Sequence, residues 1–457
     1  MTTAFVVRHR KFMSVLSVLC FLSSCSLYSF QAMTVRDALM NNQIDLAYSL
    51  VDDQFRYSDT VLKSMNKGML LRMKNNFVSS NESLEQAKKR INKLYGISVT
   101  EQFGSVVIND SVMAYKGSRI EQLLLHAYMA MNYIETANLD AARVEMLQAE
   151  VKMREWGDQP DDDPFIKYLS GMIYEALDEN DQAIIAYRHA IDAYKANKDK
   201  QHLDVPMLLV TDLMRLLKVE RLNDDLRVLQ DAYPQAGLIK ADEVSGKGKL
   251  IIILSNGLSP IKSENSITTF SDEIEKTVRI ALPVYAIEPA RLKTARIVIG
   301  EYSDMLETVE NIDGLARSVL DEEMPLILTR AIARAVVKHK SQHQASGGQS
   351  MGSVLITMAN LVTERADTRS WSTLPQAIQM TSHFLPAGKH QLAIELLNDA
   401  DFVVDRIKEE VEIKPGKVTF VFKHWISPRV REEQIKPEAT TNKVSRAIQS
   451  ERVALHV

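Results

Sequence analysis

The sequence predicts a mainly α N-terminal half, built as a solenoid of helical hairpins, followed by an α+β C-terminal domain with antiparallel β hairpins. Three observations carry this expectation. Two stretches about forty residues apart repeat one pattern of small and large residues. The 457 residues include only 17 Gly and 13 Pro, a scarcity that favours long helices. After Tyr233-Pro234 the apolar period changes from helical to twofold. Apolar residues make up 46% and charged residues 25%, which places the chain among folded proteins and excludes a disordered one.

The first thirty residues read as an address. Arg8, Arg10 and Lys11 form a positive segment, and a short apolar run over 12–22 follows. It is too short to span a bilayer and has the layout of a secretory signal peptide over 1–24. It ends Leu22-Ser23-Ser24-Cys25. This resembles the lipobox of bacterial lipoproteins, which implies that Cys25 is acylated and becomes the mature N-terminus. Burial of acyl CH₂ groups, at roughly 0.8 kcal/mol each, would supply the anchor. Ser26 follows the cysteine, and in Gram-negative lipoproteins the absence of Asp there implies sorting to the outer membrane. Removing 1–24 takes away three cations and no acid, so the net charge moves from −4 to −7. Such a chain is a poor candidate for nucleic acid. Cys20 leaves with the signal, so no disulfide or thiol chemistry is expected.

The repeat domain is expected over 25–240. Ala130, Tyr133, Ala142, Met146 and Ala149 have the same spacing as Gly171, Tyr174, Ala183, Tyr187 and Ala190, 41 positions later. This resembles the tetratricopeptide repeat, in which small residues stand where paired helices cross. The usual period is 34. The Gly-, Pro- and Asp-rich run over 156–164 accounts for the difference as an inter-repeat loop. Gly68, Ser80, Leu84 and Ala87 mark a weaker earlier hairpin. A helix start near Asp45 and the Leu209–Leu213–Leu216–Leu217 stripe bring the expected total to four or five hairpins. Residues 96–115 read as an irregular or extended excursion. A hairpin solenoid leaves a concave groove, the expected seat of a protein partner.

The α+β domain is expected over 245–427. Gly246-Lys247-Gly248-Lys249 reads as a linker ahead of a buried strand at Leu250-Ile251-Ile252-Ile253-Leu254. Strands are expected at 277–282 and 295–299, a long helix at 312–343 with Pro325 inside, and another at 351–365. Two hairpins are expected, one turning at Pro386-Ala387-Gly388 and one at Pro415-Gly416-Lys417. The tail over 428–457 reads as disordered.

The candidate chemistry is thin. Gly246-Lys247-Gly248-Lys249 lacks the phosphate-loop frame. Asp158, Asp161, Asp162 and Asp163 lack the EF-hand frame and read as a solvated loop. His339 and His343 have Lys338 and Lys340 beside them, which opposes a metal. No nucleophile elbow or zinc-protease motif is present. No enzyme activity, metal or cofactor is expected.

The most unusual stretch is Thr363-Glu364-Arg365-Ala366-Asp367-Thr368-Arg369-Ser370-Trp371. It reads either as an ion-paired corner or as a recognition surface in which Arg365, Asp367, Arg369 and Trp371 bind a partner. Together with the lipobox, with Tyr115-Lys116-Gly117 running into Glu121-Gln122, and with Asn256-Gly257-Leu258-Ser259-Pro260-Ile261-Lys262, it resembles a family of proteobacterial outer-membrane lipoproteins. That family tends to be encoded near lipoprotein activators of penicillin-binding proteins. The resemblance implies a periplasmic envelope role and assigns no site residue. The expectation is a lipid-anchored scaffold that holds envelope proteins in its groove, with homo-oligomerisation left open. The alternatives are a lipid, glycan or peptidoglycan binding module and, third, an envelope enzyme.

Overall fold

The computed structural model describes residues 24–55, 60–101, 114–157, 163–237, 244–271, 276–286, 294–345 and 365–426. The expected signal peptide up to residue 23, residues 102–113 of the excursion expected over 96–115, the helix over 351–364 and the tail lie outside the described residues. Residues 96–101 correct the expected start of that excursion: they continue the helix Phe77–Glu101, because the run holds no Pro and a single Gly does not end a helix.

Five helical hairpins come first. They are α1 (Ser24–Met40) with α2 (Ile44–Gln54), α3 (Thr60–Met73) with α4 (Phe77–Glu101), and α5 (Arg119–Glu135) with α6 (Leu139–Glu155). Then follow α7 (Pro164–Ala176) with α8 (Asn180–Ala196), a short α9 (Lys198–Gln201), and α10 (Met207–Val219) with α11 (Asn223–Ala232). One turn chemistry closes all five hairpins. Asn42, Asn75, Ala137, Asp178 and Arg221 take φ between 56° and 62°. The next residue donates its N–H to a carbonyl five positions back, as in Gln43 to Ala38 (2.9 Å) and Asn138 to Tyr133 (2.8 Å). This is the Schellman closure of a helix C-terminus.

The small-residue pattern does the expected packing. Ala130, Ala142, Ala183 and Ala190 have no exposed surface. A Cβ added to Gly171 would lie 2.3 Å from the Tyr187 ring, and one on Gly68 would lie 2.6 Å from Leu84. Each pair is sixteen residues apart, and Ala130 with Met146 makes the third.

The C-terminal half supplies two stacked β layers. Its strands are β1 (Lys247–Asn256), β2 (Lys262–Ser271), β3 (Lys276–Tyr285), β4 (Thr294–Ile299), β5 (Tyr302–Met305) and β6 (Glu307–Asn311). Helix α12 (Ile312–Ala345) follows, then β7 (Ala377–Pro386), β8 (Gly388–Leu397), β9 (Val403–Ile413) and β10 (Val418–Trp425). One sheet has the order β10-β1-β7-β6, the other β5-β4-β8-β9, and β2 pairs with β3. β1 explains the stacking by alternation. Leu250, Ile252 and Leu254 face the second sheet with Ile297, Ile394 and Leu396. Ile251 and Ile253 face the helices, in one core with Tyr128, Tyr168 and Leu213. The molecule is therefore three layers deep, helices on sheet on sheet, and the described residues form one compact unit. α12 packs on β3, β7 and α9.

The pairing differs from expectation at both predicted hairpins. β7 joins β1 and β6, while β8 joins β4 and β9, so the Pro386–Gly388 corner carries the chain from one sheet to the other. The Pro415 turn does the same, and β10 ends parallel to β1. Pro/Gly turns mark strand ends, but the partner is chosen by burial on both faces. The supposed linker is also wrong. β1 begins at Lys247, and a Cβ on Gly248 would lie 2.2 Å from the Lys414 carbonyl oxygen, so only glycine fits there.

Two substitutions at the hairpins should have opposite signs. Gly171→Ala should destabilise by about 1–3 kcal/mol through overpacking against Tyr187. Ala137→Gly should stabilise by roughly 0.5–1 kcal/mol, because it relieves a left-handed backbone at some cost in unfolded-chain entropy. Urea midpoints check both.

Candidate functional site: the joint that fills the repeat groove

The first helix of each hairpin was expected to line an open groove. Instead, all of α5 from Ile120 to Asn132 and all of α7 from Pro164 to Ile173 are buried. A helix buried all round needs a neighbour on every face. The missing neighbour is the β10-β1-β7-β6 sheet, so the chain fills its own groove. The expectation that a partner occupies this groove is corrected accordingly.

The joint is polar at chosen points. Glu175 of α7 and Asp212 of α10 are single acids on otherwise apolar stretches. Lys249 of β1 reaches both, at 2.9 Å to Glu175 Oε2 and 2.6 Å to Asp212 Oδ1. Arg215 pairs with the other Glu175 oxygen. Tyr187 donates to Glu175 (2.8 Å) and Tyr168 to Asp212 (3.0 Å). Lys249 is 2% exposed and Asp212 1%. Two cations thus balance two carboxylates out of water. Burial alone would raise the Glu175 pKa, but Lys249 and Arg215 outweigh it and hold the carboxyl below its usual range. The sequence reading placed Lys249 in a linker and Tyr187 in the repeat packing, and connected neither to Glu175 or Asp212. The available signal was the pair of lone acids on apolar helix faces, which need a buried cation.

Other bonds extend the joint. Tyr128 Oη lies 3.3 Å from Ser255 Oγ, and Tyr194 donates to the Val309 carbonyl at 2.6 Å. Glu307 of β6 accepts from the N–H groups of Met207 and Leu208 (2.7 and 3.0 Å). It caps α10, whose own N-cap is Pro206 and gives no side-chain bond. Arg72 of α3 lies over the rings of Phe77, Tyr128 and Phe422, at 5.1–5.8 Å.

The motif segments converge here as well. Arg369 holds Asp367 with two bonds (2.9 and 2.7 Å) and lies 5.2 Å over the Tyr115 ring. The Trp371 N–H donates to Glu121 Oε1 at 2.6 Å, and its ring meets Tyr128 edge-on at 6.2 Å. Tyr115 and the Ser118 N–H both donate to Glu121 Oε2, and Ser118 and Glu121 form the capping box of α5. Tyr28 of α1 donates to the Ser370 carbonyl. Ser259 N–H donates to Leu374 O (2.7 Å), which brings in the 256–262 loop. Of the proposed partner-binding residues, Trp371 (1% exposed) and Arg369 (4%) are therefore interior, and the corner reading replaces the recognition surface. Asp367 is half-buried in its ion pair, and Arg365 is half-buried at the start of the described segment. Cys25 lies in the first turn of α1. Asp163, read as solvated, is buried and caps α7 through Ile166 N–H at 2.9 Å.

One pair looks catalytic in isolation. His126 Nδ1 lies 2.7 Å from Glu145 Oε2, and Lys88 bonds the same carboxylate. His126 is 1% exposed and its Nε2 meets no polar group. Burial lowers its pKa, so the neutral ring is a core group. Among the described residues no cluster of three or more His, Cys, Asp or Glu converges as metal ligands. No described helix is long and apolar enough to cross a membrane.

Structural neighbours include crystal structures of nearly identical TPR-like repeats of kinesin light chain type from Podosopora anserina. One has 11% identity and a TM-score of 0.30, covering 45% of this chain and 92% of that one. A variant of it has 12% identity and a TM-score of 0.30, covering 47% and 98%. No family model matches the chain, and no curated protein matches it.

Two predictions follow from the joint. Lys249→Met should leave one buried negative charge uncompensated, centred on Asp212 because Glu175 keeps Arg215, and cost about 3–5 kcal/mol, measured by chemical denaturation. Adding Asp212→Asn to it should recover part of the loss, because Glu175 and Arg215 then remain as a balanced pair. The second concerns acid. His424 of β10 has its pKa lowered to about 4 by burial, with Arg72 adding to the shift. Between the unfolded value near 6.5 and 4 the unfolded chain binds the extra proton, so stability falls as pH falls through that window. The loss should approach about 2–3 kcal/mol by pH 4, and His424→Asn should flatten that limb.

Proposed function

We propose that this protein is a lipoprotein anchored to the periplasmic face of the outer membrane through acylated Cys25, serving without catalysis or cofactor as a scaffold for envelope proteins. Membership of the proteobacterial lipoprotein family it resembles belongs to this reading. The carrying observation is that the TPR-like array is closed by the chain's own β layers. The motif-rich segments are consumed in that joint, and a rigid body with free outer faces is left. Partner contact then falls to the outside of the array. There Val144, Leu147 and Val151 run along α6, each 44–47% exposed. The anchor would be short. Tyr28, three residues after Cys25, is already locked to Ser370, a helical rise of about 4.5 Å. The body would therefore sit against the membrane, with Phe30 and Met33 of α1 exposed at 66% and 56%.

Cys25→Ser should abolish acyl labelling and move the protein from the membrane fraction to the soluble periplasm. A photo-cross-linking residue at position 147 should give one discrete envelope adduct in the anchored protein, weakened by Val151→Lys. Membrane retention without acylation would refute the anchor, and absence of any outer-face adduct would refute the scaffold.

A further inference from the structure

Gln122 of α5 is 2% exposed and ties three pieces of the outer surface together. Its Nε2 donates to the Tyr95 hydroxyl (3.1 Å) and to the Lys116 carbonyl (3.2 Å), and its Oε1 accepts from Lys152 Nζ (3.1 Å). Around this hub cations and rings alternate. Lys116 lies 5.2 Å from the centre of the Tyr95 ring, and Lys152 lies 5.5 Å from the same ring. Lys152 also lies 6.0 Å from the Trp156 ring, and Arg119 closes the row 5.6 Å from it. Tyr95 and Arg119 are exposed, and Lys116, Lys152 and Trp156 are half-buried. The row is therefore open to solvent where α4, the start of α5 and the end of α6 meet.

This row is short of negative charge. Ring faces and amide oxygens hold Lys116 and Lys152, and among the described residues neither has a carboxylate within ion-pair distance. Burial lowers the Lys152 pKa, Lys88 adds to the shift, and the attraction of Glu155 does not offset them. The whole chain carries a net charge of −4, so the positive excess is local. Cations held in place without a neutralising partner gain from an incoming anion, and side chains already fixed lose little freedom when it arrives.

The second feature is apolar. Val144, Leu147 and Val151, each 44–47% exposed, run along α6 toward Lys152 over a rise of about 10 Å. Stripe and row are consecutive on one helix. A nucleic acid or an anionic lipid surface would use the cations and leave the stripe uncovered. A protein segment with matching halves uses both.

We propose that this surface docks a partner's amphipathic helix that is acidic at one end, with its apolar face on Val144, Leu147 and Val151 and its carboxylates on Lys152, Lys116 and Arg119. The proposal rests on the scaffold reading and names the chemistry of the partner. A helix of roughly twelve residues matches the length from Val144 to Trp156.

The test is fluorescence anisotropy of the full-length protein with a labelled synthetic peptide of about fourteen residues, with leucines along one helical face and a cluster of glutamates at one end. One control replaces each glutamate by glutamine, and another is polyglutamate of the same length. The expected result is saturable binding of the acidic amphipathic peptide and about tenfold weaker binding of each control. Lys116→Gln with Lys152→Gln should weaken binding about tenfold, and Leu147→Ser severalfold. Lys116→Gln alone serves if the double variant does not fold. No saturable binding, equal affinity for either control, unchanged affinity in the folded variants, or displacement of the peptide by phosphatidylglycerol vesicles would overturn the proposal. Failure of the scaffold reading has a separate readout, the absence of an outer-face adduct in cells.

Discussion

Lys249 is the residue on which the rest of the arrangement depends. Its ammonium group is buried between Glu175 and Asp212, and Arg215 completes a neutral foursome. Taking such charges out of water costs several kcal/mol per ion, so the group is a weak source of net stability. What it provides is register. β1 alternates, with Lys249, Ile251 and Ile253 toward the helices and Leu250, Ile252 and Leu254 toward the second sheet. A slip by one residue would bury the lysine among the leucines of the far sheet and leave Asp212 without a cation. The charges therefore count against a docking shifted by one residue.

Docking in that register has consequences for what the molecule can present. The first helices of the hairpins, which in an open array would contact a partner, contact β1, β7 and the 365–376 segment. Tyr28, Asn66, Glu121 and Tyr128 each send a polar group across to the C-terminal half. A joint with so many satisfied bonds, spread over all five hairpins, acts as a single rigid body. Binding by this protein then belongs to its outer helix faces.

Much of this was legible in the residues. Identical spacing of Gly171, Ala183 and Tyr187 with Ala130, Ala142 and Met146 identified two hairpins, because a helix crossing accepts only small residues at fixed positions. The run Leu250–Leu254 announced a strand covered on both faces. Other features were not legible, for physical reasons. Period two and Pro/Gly turns locate strands but say nothing of long-range pairing, so β7–β8 and β9–β10 looked like hairpins when each switches sheets. Lys249, set between Gly248 and Leu250, looked solvated because its partners are 37 and 74 residues away. Trp371 and Arg369 were recognised as unusual, yet composition alone could not tell an interior corner from an exposed one.

The most direct measurement of the central claim is residue-resolved hydrogen exchange on the folded chain. If the β layers fill the groove, the amides of α5 and α7 over 123–131 and 168–173 should exchange only through global opening, with the same free energy as those of β1 over 250–254. If those helix amides instead open at a much lower free energy while β1 stays protected, the groove is open in solution and the account of the joint is wrong.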